Sequence, residues 1–549
     1  MNTLYDWFAE SAARHRDRIA LDLGANRLRY GELDDLAGRV AAAVVRRLGQ
    51  PPRRLGLLAA RSAGAYAGYL AAYRLGATVV PLNPAYPPAR TAAVATAAEL
   101  DLVLADAGGS AGAVPVLPVD DGALATLPPA NGVPARRADA ARPAYLMFTS
   151  GSTGTPKGVP VTHANVLAFL RAVAARAELT SDARVSQMFD LTFDPSIFDL
   201  FATWGAGATV VVPQPADLMA AVRFVRQREI THWSSVPSVI AIARRLRQLG
   251  PDRMPTLRWS MFCGEPLSVD AAAAWRAAAP NSVIENMYGP TELTVTCTGY
   301  RLPASPADWP ATTNGTVPIG EPYPAVDWLL LDEDLRPAAE GELCVRGPQR
   351  FPGYLDPADD IDRFVTGASG SYRLRHGTPS GSDWYRTGDR VRQENGRLIH
   401  LGRLDHQVKV SGYRVELGEI EAVARRHPEV AQAVALALAV PTGGVELHLA
   451  YEGPVVDEEQ LLAMLRATLA PFMVPRRLTR FEALPLTANG KIDRGLLGRV
   501  LRSDRLPGQG PGGASHQLPN GGGPGAGPDG GADLSVRASI VPSVGGMPT

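Results

Sequence analysis

Short apolar runs recur along the chain to about residue 400, and longer stretches with helical periodicity lie between them. The runs at residues 55–58, 77–80, 144–148, 208–212 and 326–331 consist mainly of aliphatic and aromatic residues. Buried strands of parallel sheets have this continuous apolar character, and helices connect one such strand to the next. The pattern therefore predicts an α/β fold with mostly parallel sheets.

A polar stretch at residues 400–412 interrupts this pattern, and a shorter α/β pattern follows it to about residue 502. We therefore predict a large N-terminal domain of packed mixed and parallel sheets with helices, residues 1–401, and a small α+β C-terminal domain, residues 402–502. Residues 503–549 are mostly Gly, Pro, Ser, Ala and Asn. Such a segment cannot bury enough apolar surface to offset its ordering entropy, which predicts a disordered tail. It would be either a tether to another protein or an extension without a function.

The composition of the 549 residues excludes several classes of protein. Hydrophobic residues make up 46% and charged residues 20%, as in ordinary globular proteins. Lys and Arg total 55, and so do Asp and Glu, so no net charge attracts nucleic acid or an anionic membrane. The three cysteines are far apart and match neither a disulfide framework nor a zinc site. The N-terminus lacks a signal peptide, and Arg74 interrupts the best apolar run, which favours a cytoplasmic protein without a membrane span.

The first candidate site is the segment 149–158, which reads Thr-Ser-Gly-Ser-Thr-Gly-Thr-Pro-Lys-Gly and follows the strand-like run at 144–148. Glycines let backbone N–H groups surround an anion, hydroxyls donate further hydrogen bonds, and Lys157 adds positive charge. These features predict a polyphosphate-binding loop. It is not a Walker A loop, which requires Gly-Lys followed by Ser or Thr. An ordinary surface loop is the alternative.

Four further polar turns follow in order along the chain. Residues 288–292 offer an aromatic ring, a tight turn and a carboxylate, and residues 385–389 place Asp389 on a glycine turn, suited to accepting hydrogen bonds from two ribose hydroxyls. Residues 402–409 and 489–493 place isolated cations on turns. Each turn alone is more often a solvated loop, and their joint occurrence in this order is what indicates a site.

Taken together, these motifs resemble the adenylate-forming superfamily, and specifically the amino-acid adenylation domains of nonribosomal peptide synthesis. Four further segments resemble core motifs of that family: residues 75–87, 341–354, 402–421 and 484–491. The resemblance covers about residues 1–502. It implies that an amino-acid carboxylate attacks the α-phosphorus of ATP, with Mg²⁺ present, to give aminoacyl-AMP and pyrophosphate. The thiol of a phosphopantetheinylated carrier protein then takes the acyl group.

The resemblance implies a role for each matching residue. The loop residues Thr149, Ser150, Gly151, Ser152, Thr153, Gly154 and Lys157 would hold the β,γ-phosphates. The nucleotide would also contact Gly264, Glu265, Asn286, Tyr288, Gly289, Thr291, Asp389 and Arg403. Among these, Tyr288 would stack on adenine, Asn286 would bond its amine, and Asp389 would take the ribose hydroxyls. Glu292 would bind Mg²⁺, and Lys491 would bridge the substrate carboxylate and the α-phosphate.

Asp405 resembles the family's hinge, about which the small mobile domain rotates after adenylation. A surface Asp in a turn is the alternative.

The resemblance implies that Asp194 recognises the substrate, because amino-acid-activating relatives use an Asp at this place to pair with the α-ammonium group. Asp194 followed by Pro195 is also a helix start, with Asp194 as N-cap, and one carboxylate can serve both roles. Phe193 would lie beside the substrate carboxylate. The selectivity positions implied by the resemblance are Asp194, Pro195, Phe198, Ser234, Met261, Cys263, Met287, Val295, Thr296 and Lys491.

This predicted lining has no charge besides Asp194 and Lys491, so a charged substrate side chain would lack a partner. Phe198, Met261 and Met287 would fill much of the volume, which predicts a small uncharged amino acid such as alanine, serine or glycine. Residues 262–265 also resemble the corresponding stretch of D-alanine–carrier-protein ligases.

No carrier-domain signature follows residue 502, so we expect a free-standing enzyme that loads a carrier in trans. The alternatives are an acid–CoA ligase and a nucleotide-binding regulator without activity, although the latter would be expected to lose Lys491, Glu292 or Asp389.

Overall fold

The computed structural model describes residues 2–106, 108–130, 139–150, 156–368, 370–405, 407–440, 444–486 and 492–503, together with the pair Ala538–Ser539. Its strands are β1 Ile19–Asp22, β2 Arg27–Arg29, β3 Arg54–Leu58, β4 Thr78–Leu82, β5 Leu102–Ala105, β6 Val116–Pro118, β7 Pro143–Thr149, β8 Lys157–Thr162, β9 Arg184–Ser186, β10 Thr209–Val211, β11 His232–Ser235, β12 Trp259–Phe262, β13 Val283–Tyr288, β14 Thr298–Arg301, β15 Glu321–Pro322, β16 Asp327–Leu331, β17 Glu340–Arg346, β18 Phe364–Ala368, β19 Ser371–Leu374, β20 Trp384–Glu394, β21 Arg397–Arg403, β22 Gln407–Val410, β23 Tyr413–Glu416, β24 Gln432–Ala439, β25 Val445–Glu452, β26 Arg477–Phe481 and β27 Ala538–Ser539.

The α-helices are α1 Leu4–Arg14, α2 Tyr30–Leu48, α3 Ala63–Arg74, α4 Pro88–Ala97, α5 Asp121–Thr126, α6 His163–Ala177, α7 Pro195–Ile197, α8 Thr203–Gly205, α9 Ala221–Gln227, α10 Ser238–Arg245, α11 Val269–Ala278, α12 Leu417–Ala424, α13 Glu458–Thr468 and α14 Arg494–Ser503. A π-helical turn, Phe198–Ala202, joins α7 to α8. Among the described residues, no helix combines the length and the apolar character that crossing a membrane requires.

Two mixed sheets with parallel centres make up most of the first part of the chain. One has nine strands in the order β15-β14-β13-β12-β11-β9-β10-β1-β2, and its pairs are parallel except for β13–β14, β14–β15 and β1–β2. The other has six strands in the order β6-β5-β3-β4-β7-β8, parallel except for the β7–β8 pair. The predicted α/β fold class is confirmed.

A third sheet departs from the expectation of mostly parallel pairing. Strands β16 to β21 form a six-stranded sheet in which every described pair is antiparallel. The apolar run at residues 326–331 was expected to be a buried strand of a parallel sheet, and that expectation is wrong. It forms the edge strand β16, whose first three residues are exposed or half-buried. A short apolar run does not reveal its pairing direction, because that direction depends on the connection to the next strand.

The main hydrophobic core lies around helix α3. Every residue from Ala63 to Tyr73 is buried, and the helix has no polar face. A helix that is apolar on all sides is stable only inside a protein or a membrane. Here α3 belongs to one apolar cluster that also contains side chains of β3, β4, β7, β12 and β13. The apolar run broken by Arg74 is therefore this core helix and the following strand β4.

The described chain divides into two compact units. The first comprises residues 1–149, 156–405 and 411–413, and it holds the three large sheets. The second comprises residues 150–155, 406–410 and 414–549, and it holds the sheet β24-β25-β26-β27 with helices α12 to α14. The predicted boundary at residue 402 and the mobility of the small domain stay predictions, because compactness alone does not test either.

The predicted tail lies outside the described residues except for Ala538–Ser539. These two residues pair antiparallel with Phe481 and Arg480 of β26. The expectation of a disordered tail stays a prediction.

Candidate active site

Two of the predicted site motifs lie where neighbouring parallel strands end. Strands β11, β12 and β13 are parallel neighbours, so their carboxyl ends lie along one edge of the nine-stranded sheet. The segments Gly264–Glu265 and Tyr288–Glu292 follow β12 and β13 there. Ligands of open α/β sheets bind in the crevice at such an edge. The topology therefore brings together motifs that are far apart in sequence.

The predicted phosphate loop begins at the end of β7. Strand β7 pairs antiparallel with β8, and Lys157 is the first residue of β8. Gly151, Ser152, Thr153 and Gly154 lie outside the described residues. Thr149 is described, and its hydroxyl is buried with no hydrogen-bond partner within the described part of the chain. A buried hydroxyl without a partner among the described residues fits a site where it would donate a hydrogen bond to a phosphate oxygen.

Lys157 lies beside Asp359 and Tyr354, and of these only Tyr354 belongs to a segment that resembles a family motif. Its Nζ lies 2.7 Å from Oδ1 of Asp359 and 5.6 Å from the ring centre of Tyr354. Both partners of the ion pair are largely buried, with side-chain exposures of 12% and 23%. The predicted phosphate-binding ammonium group is therefore held by a carboxylate and the face of an aromatic ring.

Glu292, the predicted Mg²⁺ ligand, is fully buried in a 3₁₀ turn, Thr291–Leu293. Its Oε1 accepts a hydrogen bond of 2.5 Å from the hydroxyl of Tyr354, which lies 3.1 Å from the hydroxyl of Tyr385. Among the described residues, no group of three or more His, Cys, Asp or Glu side chains could hold a metal by itself. One carboxylate fits Mg²⁺, which proteins commonly bind through one or two carboxylates together with substrate phosphates.

Asp389 is the centre of a tight polar cluster. Its carboxylate accepts hydrogen bonds from Tyr288 Oη at 2.5 Å and Arg403 Nη1 at 2.9 Å, and His400 Nε2 lies 3.2 Å away. Burial by itself raises the pKa of the Asp389 carboxyl, but the hydrogen bond to His400 and the charge of Arg403 outweigh it. The pKa therefore lies well below its usual range, and Asp389 is a carboxylate fixed for accepting hydrogen bonds. His400 was missed, because a lone His in a strand carries no sequence signal.

The two residues predicted to contact adenine, Asn286 and Tyr288, are both held by hydrogen bonds within the protein. The Asn286 amide donates to the carbonyls of Val317 and Pro318 at 3.2 and 2.9 Å. The Asn286 N–H groups thus already donate to backbone carbonyls. Its amide oxygen is the atom suited to accept a hydrogen bond from the adenine amine. Tyr288 is half-buried with its hydroxyl on Asp389, so its ring is fixed.

Gly264, Gly289 and Glu265 have local structural roles. Gly264 has φ +89°, a conformation that favours glycine, and a Cβ on Gly289 would lie 2.6 Å from the backbone of Thr296. Glu265 Oε2 accepts from the backbone N–H of Ser238 at the start of α10. The Glu265 carboxylate therefore satisfies a helix N-terminus, a role that the sequence analysis did not foresee.

Asp194 is buried, and its Oδ2 accepts a hydrogen bond of 3.0 Å from the backbone N–H of Val295. Helix α7 begins at Pro195 with Asp194 at the N-cap position, as expected, but the Asp194 side chain makes no capping hydrogen bond. Asp194 has φ −65° and ψ −23°, already helical, whereas a capping side chain folds back from an extended backbone. The carboxylate instead joins α7 to the turn after β13.

That turn has an unusual backbone. Thr294 and Val295 have φ +59° and +68°, which β-branched residues rarely adopt. Besides the bond from Val295 to Asp194, the Thr294 hydroxyl donates to the carbonyl of Gln349 at 2.6 Å, and Gln349 Nε2 donates to the carbonyl of Thr296 at 2.7 Å. Gln349 thus fixes a turn that carries two predicted selectivity positions, a role that its place in the motif-like segment 341–354 did not reveal.

The apolar members of the predicted selectivity positions belong to the main hydrophobic core. One apolar cluster contains Phe198, Met261, Cys263, Met287 and Val295, with Phe193 packed against it. The polar members are already paired within the protein. Ser234 donates a short hydrogen bond to Asp199, which is fully buried, and Thr296 Oγ1 lies 2.9 Å from the hydroxyl of Tyr323.

Burial raises the pKa of the Asp199 carboxyl well above its ordinary value, although the hydrogen bond from Ser234 acts in the opposite direction. Asp199 was missed in the sequence. The available signal was an acidic residue inside the apolar segment 197–202, because a buried carboxyl group needs a hydrogen-bonding partner.

Asp405 lies at the end of the first unit and makes a two-point ion pair. Arg403 Nε and Nη2 each lie 2.7 Å from an Asp405 carboxylate oxygen, while Nη1 of the same guanidinium donates to Asp389. Arg403 therefore joins the predicted ribose carboxylate to the predicted hinge residue. Lys491 lies outside the described residues.

Two family models match the chain. The model of the AMP-binding enzymes matches residues 8–355, and the model of the AMP-binding enzyme C-terminal domain matches residues 419–491. The first match alone covers more than half of the chain.

Curated relatives agree with these matches. A probable non-canonical nonribosomal peptide synthetase, CymA of Salinispora arenicola, is 36% identical over 90% of this chain, which spans only 6% of that relative. Novobiocin biosynthesis protein H of Streptomyces niveus is 33% identical over 93% of this chain and 84% of its own length. The chain thus corresponds to a small part of some relatives and to most of others.

Two solved structures share the fold. The Vibrio cholerae adenylation domain AlmE, in complex with glycyl-adenosine-5'-phosphate, is 28% identical, with a TM-score of 0.78 over 91% of this chain and 98% of its own. PA1221, a nonribosomal peptide synthetase protein containing adenylation and PCP domains, is 27% identical, with a TM-score of 0.75 over 91% of this chain and 84% of its own. The chain belongs to the AMP-binding enzymes, the adenylate-forming superfamily, as an amino-acid adenylation domain of the nonribosomal-peptide type.

Proposed function

We propose that this chain uses ATP and Mg²⁺ to convert a small, uncharged amino acid to aminoacyl-AMP, and then transfers the aminoacyl group to the phosphopantetheine thiol of a separate carrier protein. The observation that carries the proposal is the position of Asp194. It is a buried carboxylate that accepts a hydrogen bond from the backbone of Val295, another predicted selectivity residue, and it directly precedes helix α7.

The charge on Asp194 favours an amino acid over a simple carboxylic acid. A carboxylate in a largely apolar, water-poor surrounding is stabilised by a cation, and the α-ammonium group of an amino acid supplies one. One oxygen of Asp194 holds the Val295 N–H, and a carboxylate offers further acceptor sites to a bound ammonium group. The same residue thus fixes the pocket wall and recognises the substrate.

The pairing of the wall hydroxyls favours a substrate side chain without charge. Ser234 and Thr296 are bonded to Asp199 and Tyr323, so neither is arranged to bind an ionic side chain. The remaining wall, formed by Phe198, Met261 and Met287, is bulky and apolar and is buried. Small side chains fit such a lining, and the complex of AlmE with glycyl-adenosine-5'-phosphate gives a relative in which the activated residue is glycine.

The first half-reaction brings two anions together, so catalysis depends on fixed positive charge and alignment. In this proposal Lys157 and the loop 149–154 hold the β,γ-phosphates, and Glu292 holds Mg²⁺. Asp389 fixes the ribose, and Lys491 neutralises the charge that develops between the substrate carboxylate and the α-phosphate. Pyrophosphate leaves as the acyl–phosphate bond forms.

The second half-reaction needs a thiol. The carrier protein is favoured as its source because a similar protein, PA1221, contains adenylation and PCP domains. In the proposed step the thiol attacks the acyl carbon, AMP leaves, and a thioester results.

Amino-acid-dependent exchange of pyrophosphate into ATP tests the first step. We expect exchange with alanine, glycine or serine and little exchange with charged or large amino acids, in both D and L series. Supplying either holo-carrier protein or CoA to the enzyme-bound adenylate tests the second step. Faster consumption of the adenylate with CoA would identify an acid–CoA ligase, and exchange with none of the amino acids would refute the proposal.

A further inference from the structure

Strands β11, β12 and β13 present side chains to the main core in successive layers. Side chains alternate between the two faces of a strand, so Trp259, Met261 and Cys263 share one face of β12 and its continuation. These three belong to the main core cluster, whereas Phe262 belongs to a different cluster on the opposite face of the sheet. Cys263 lies nearest the carboxyl edge, Met261 comes next, and Trp259 lies deepest.

The pairing register extends these layers across the sheet. Met261 lies opposite Ser234 and Glu285, and Trp259 lies opposite His232 and Val283. The predicted selectivity positions Ser234 and Met261 thus belong to the middle layer. The Trp259 layer lies beneath them, farther from the edge where the nucleotide motifs gather.

Trp259 lies directly beneath the middle layer that contains Ser234 and Met261. Its ring is buried, and its centre lies 5.4 Å from the ring centre of Phe198 and 6.3 Å from that of His232. An indole in contact with Phe198 occupies the space into which a longer substrate side chain would have to extend. Close-packed interiors leave no room for added methylene groups without a shift of the surrounding side chains.

The orientation of the indole is fixed by a hydrogen bond. Trp259 Nε1 donates to Oε2 of Glu285 at 3.0 Å, and Glu285 is fully buried. The other oxygen, Oε1, accepts a 2.6 Å bond from Nε of Arg176. A buried carboxylate with partners on both oxygens holds its position, and the indole cannot rotate without breaking its bond to it.

We propose that Trp259 is the floor of the amino-acid pocket and limits the length of the side chain that the enzyme accepts, and that Glu285 and Arg176 position it. The proposal rests on the proposed function, because it places the substrate side chain among Phe198, Met261 and Met287. It adds residues outside the selectivity positions given by resemblance.

The test compares kcat/KM for alanine with kcat/KM for leucine in pyrophosphate exchange. In Trp259→Leu we expect this ratio to fall about tenfold or more, because extra methylene groups in an apolar pocket are discriminated by roughly 10- to 200-fold. The KM for ATP should not change. Glu285→Gln, which loses the charge that pairs with Arg176, should lower the ratio less than Trp259→Leu does.

Trp233→Leu is the matched control. Trp233 is a fully buried tryptophan of the adjacent strand β11 whose Nε1 also donates to a side chain, Ser235 Oγ, but it lies in the cluster on the opposite face. It should lower the melting temperature while the alanine-to-leucine ratio stays unchanged. Where Trp259→Leu does not fold, Trp259→Phe serves as the milder variant, and the alanine-to-leucine ratio should fall less than in Trp259→Leu because the change of pocket volume is smaller.

The outcomes separate the two proposals. A wild-type enzyme without amino-acid-dependent exchange contradicts the proposed function itself. A wild-type enzyme that activates alanine, together with an unchanged ratio in a folded Trp259 variant, contradicts the floor alone. An equal fall of the ratio in Trp233→Leu also contradicts it, because a general loosening of the sheet would then explain the result.

Discussion

Lys157 and Asp359 form an ion pair with a distance of 2.7 Å between Nζ and Oδ1. Lys157 follows the predicted phosphate loop, and Asp359 lies in the 3₁₀ turn Pro357–Asp360, two hundred residues farther along the chain. The lysine that would bind phosphate therefore has a protein carboxylate as a competing partner.

This competition predicts opposite effects for the two residues. Lys157→Met should raise the KM for ATP, because it removes a phosphate ligand. Asp359→Asn should lower the KM for ATP by about two- to fivefold, because it removes the carboxylate that competes with phosphate for the ammonium group; a fivefold change corresponds to about 1 kcal/mol. Pyrophosphate exchange at varied ATP concentration measures both. A raised KM in Asp359→Asn would instead show that Asp359 orients Lys157 for its ligand.

The Asp389 cluster predicts a pH-dependent contribution to stability. The pKa of Asp389 is lowered by His400 and Arg403 despite burial, so the carboxylate stabilises the folded state above the unfolded-state pKa of about 3.9. This contribution is lost as the pH falls below that value towards the folded-state pKa. Asp389→Asn should therefore cost about 1.5–3 kcal/mol at pH 7, the range for a hydrogen bond to a charged group, and less near pH 3.

Unfolding by denaturant at several pH values measures this difference. Asp327→Asn is the control, because Asp327 pairs with Arg346 3.0 Å away and its side chain is 60% exposed. A surface substitution of this kind should change stability by no more than about 0.5 kcal/mol. An equal loss in Asp389→Asn at pH 7 and pH 3 would show that the carboxylate charge is not the cause.

Asp194→Asn should separate the two roles of this residue. The amide oxygen can still accept the hydrogen bond from Val295, so the fold should survive, but the charge that pairs with the α-ammonium group is gone. Losing a charge-assisted hydrogen bond of about 1.5–3 kcal/mol should lower kcat/KM for the amino acid by roughly 10- to 150-fold. The matching acid without an amino group serves as the control substrate, and an equal loss with both substrates would contradict ammonium recognition.

Lys491→Ala should slow adenylation by about 10²-fold or more, because one well-placed charge-assisted donor contributes ~3 kcal/mol to a transition state. Thioester formation from pre-made aminoacyl-AMP should be largely spared. Single-turnover measurements of each half-reaction distinguish the two effects. Equal losses in both would refute the proposed role of Lys491.

The hinge prediction concerns Asp405. Asp405→Pro should slow carrier loading, because proline fixes φ where the proposed rotation requires a change of backbone conformation. Asp405→Ala is the control: it removes the two-point ion pair with Arg403 but leaves the backbone free. We expect pyrophosphate exchange to be little affected by either variant. An unchanged rate of loading in Asp405→Pro would argue against a pivot at this residue.

The sequence by itself determined the α/β class, the family, and the apolar runs at residues 55–58, 77–80, 144–148 and 208–212 that form β3, β4, β7 and β10. These depend on local apolar runs and on short motifs with few alternatives. The sequence did not determine the antiparallel pairing of β16, the partner of the Asp194 carboxylate, or the presence of Asp359, His400 and Gln349 in the site. Each of these depends on residues far apart in the chain that only folding brings into contact. The tertiary structure alone placed Trp259 beneath Phe198 and Met261, because strand register, and not sequence spacing, decides which side chains share a layer.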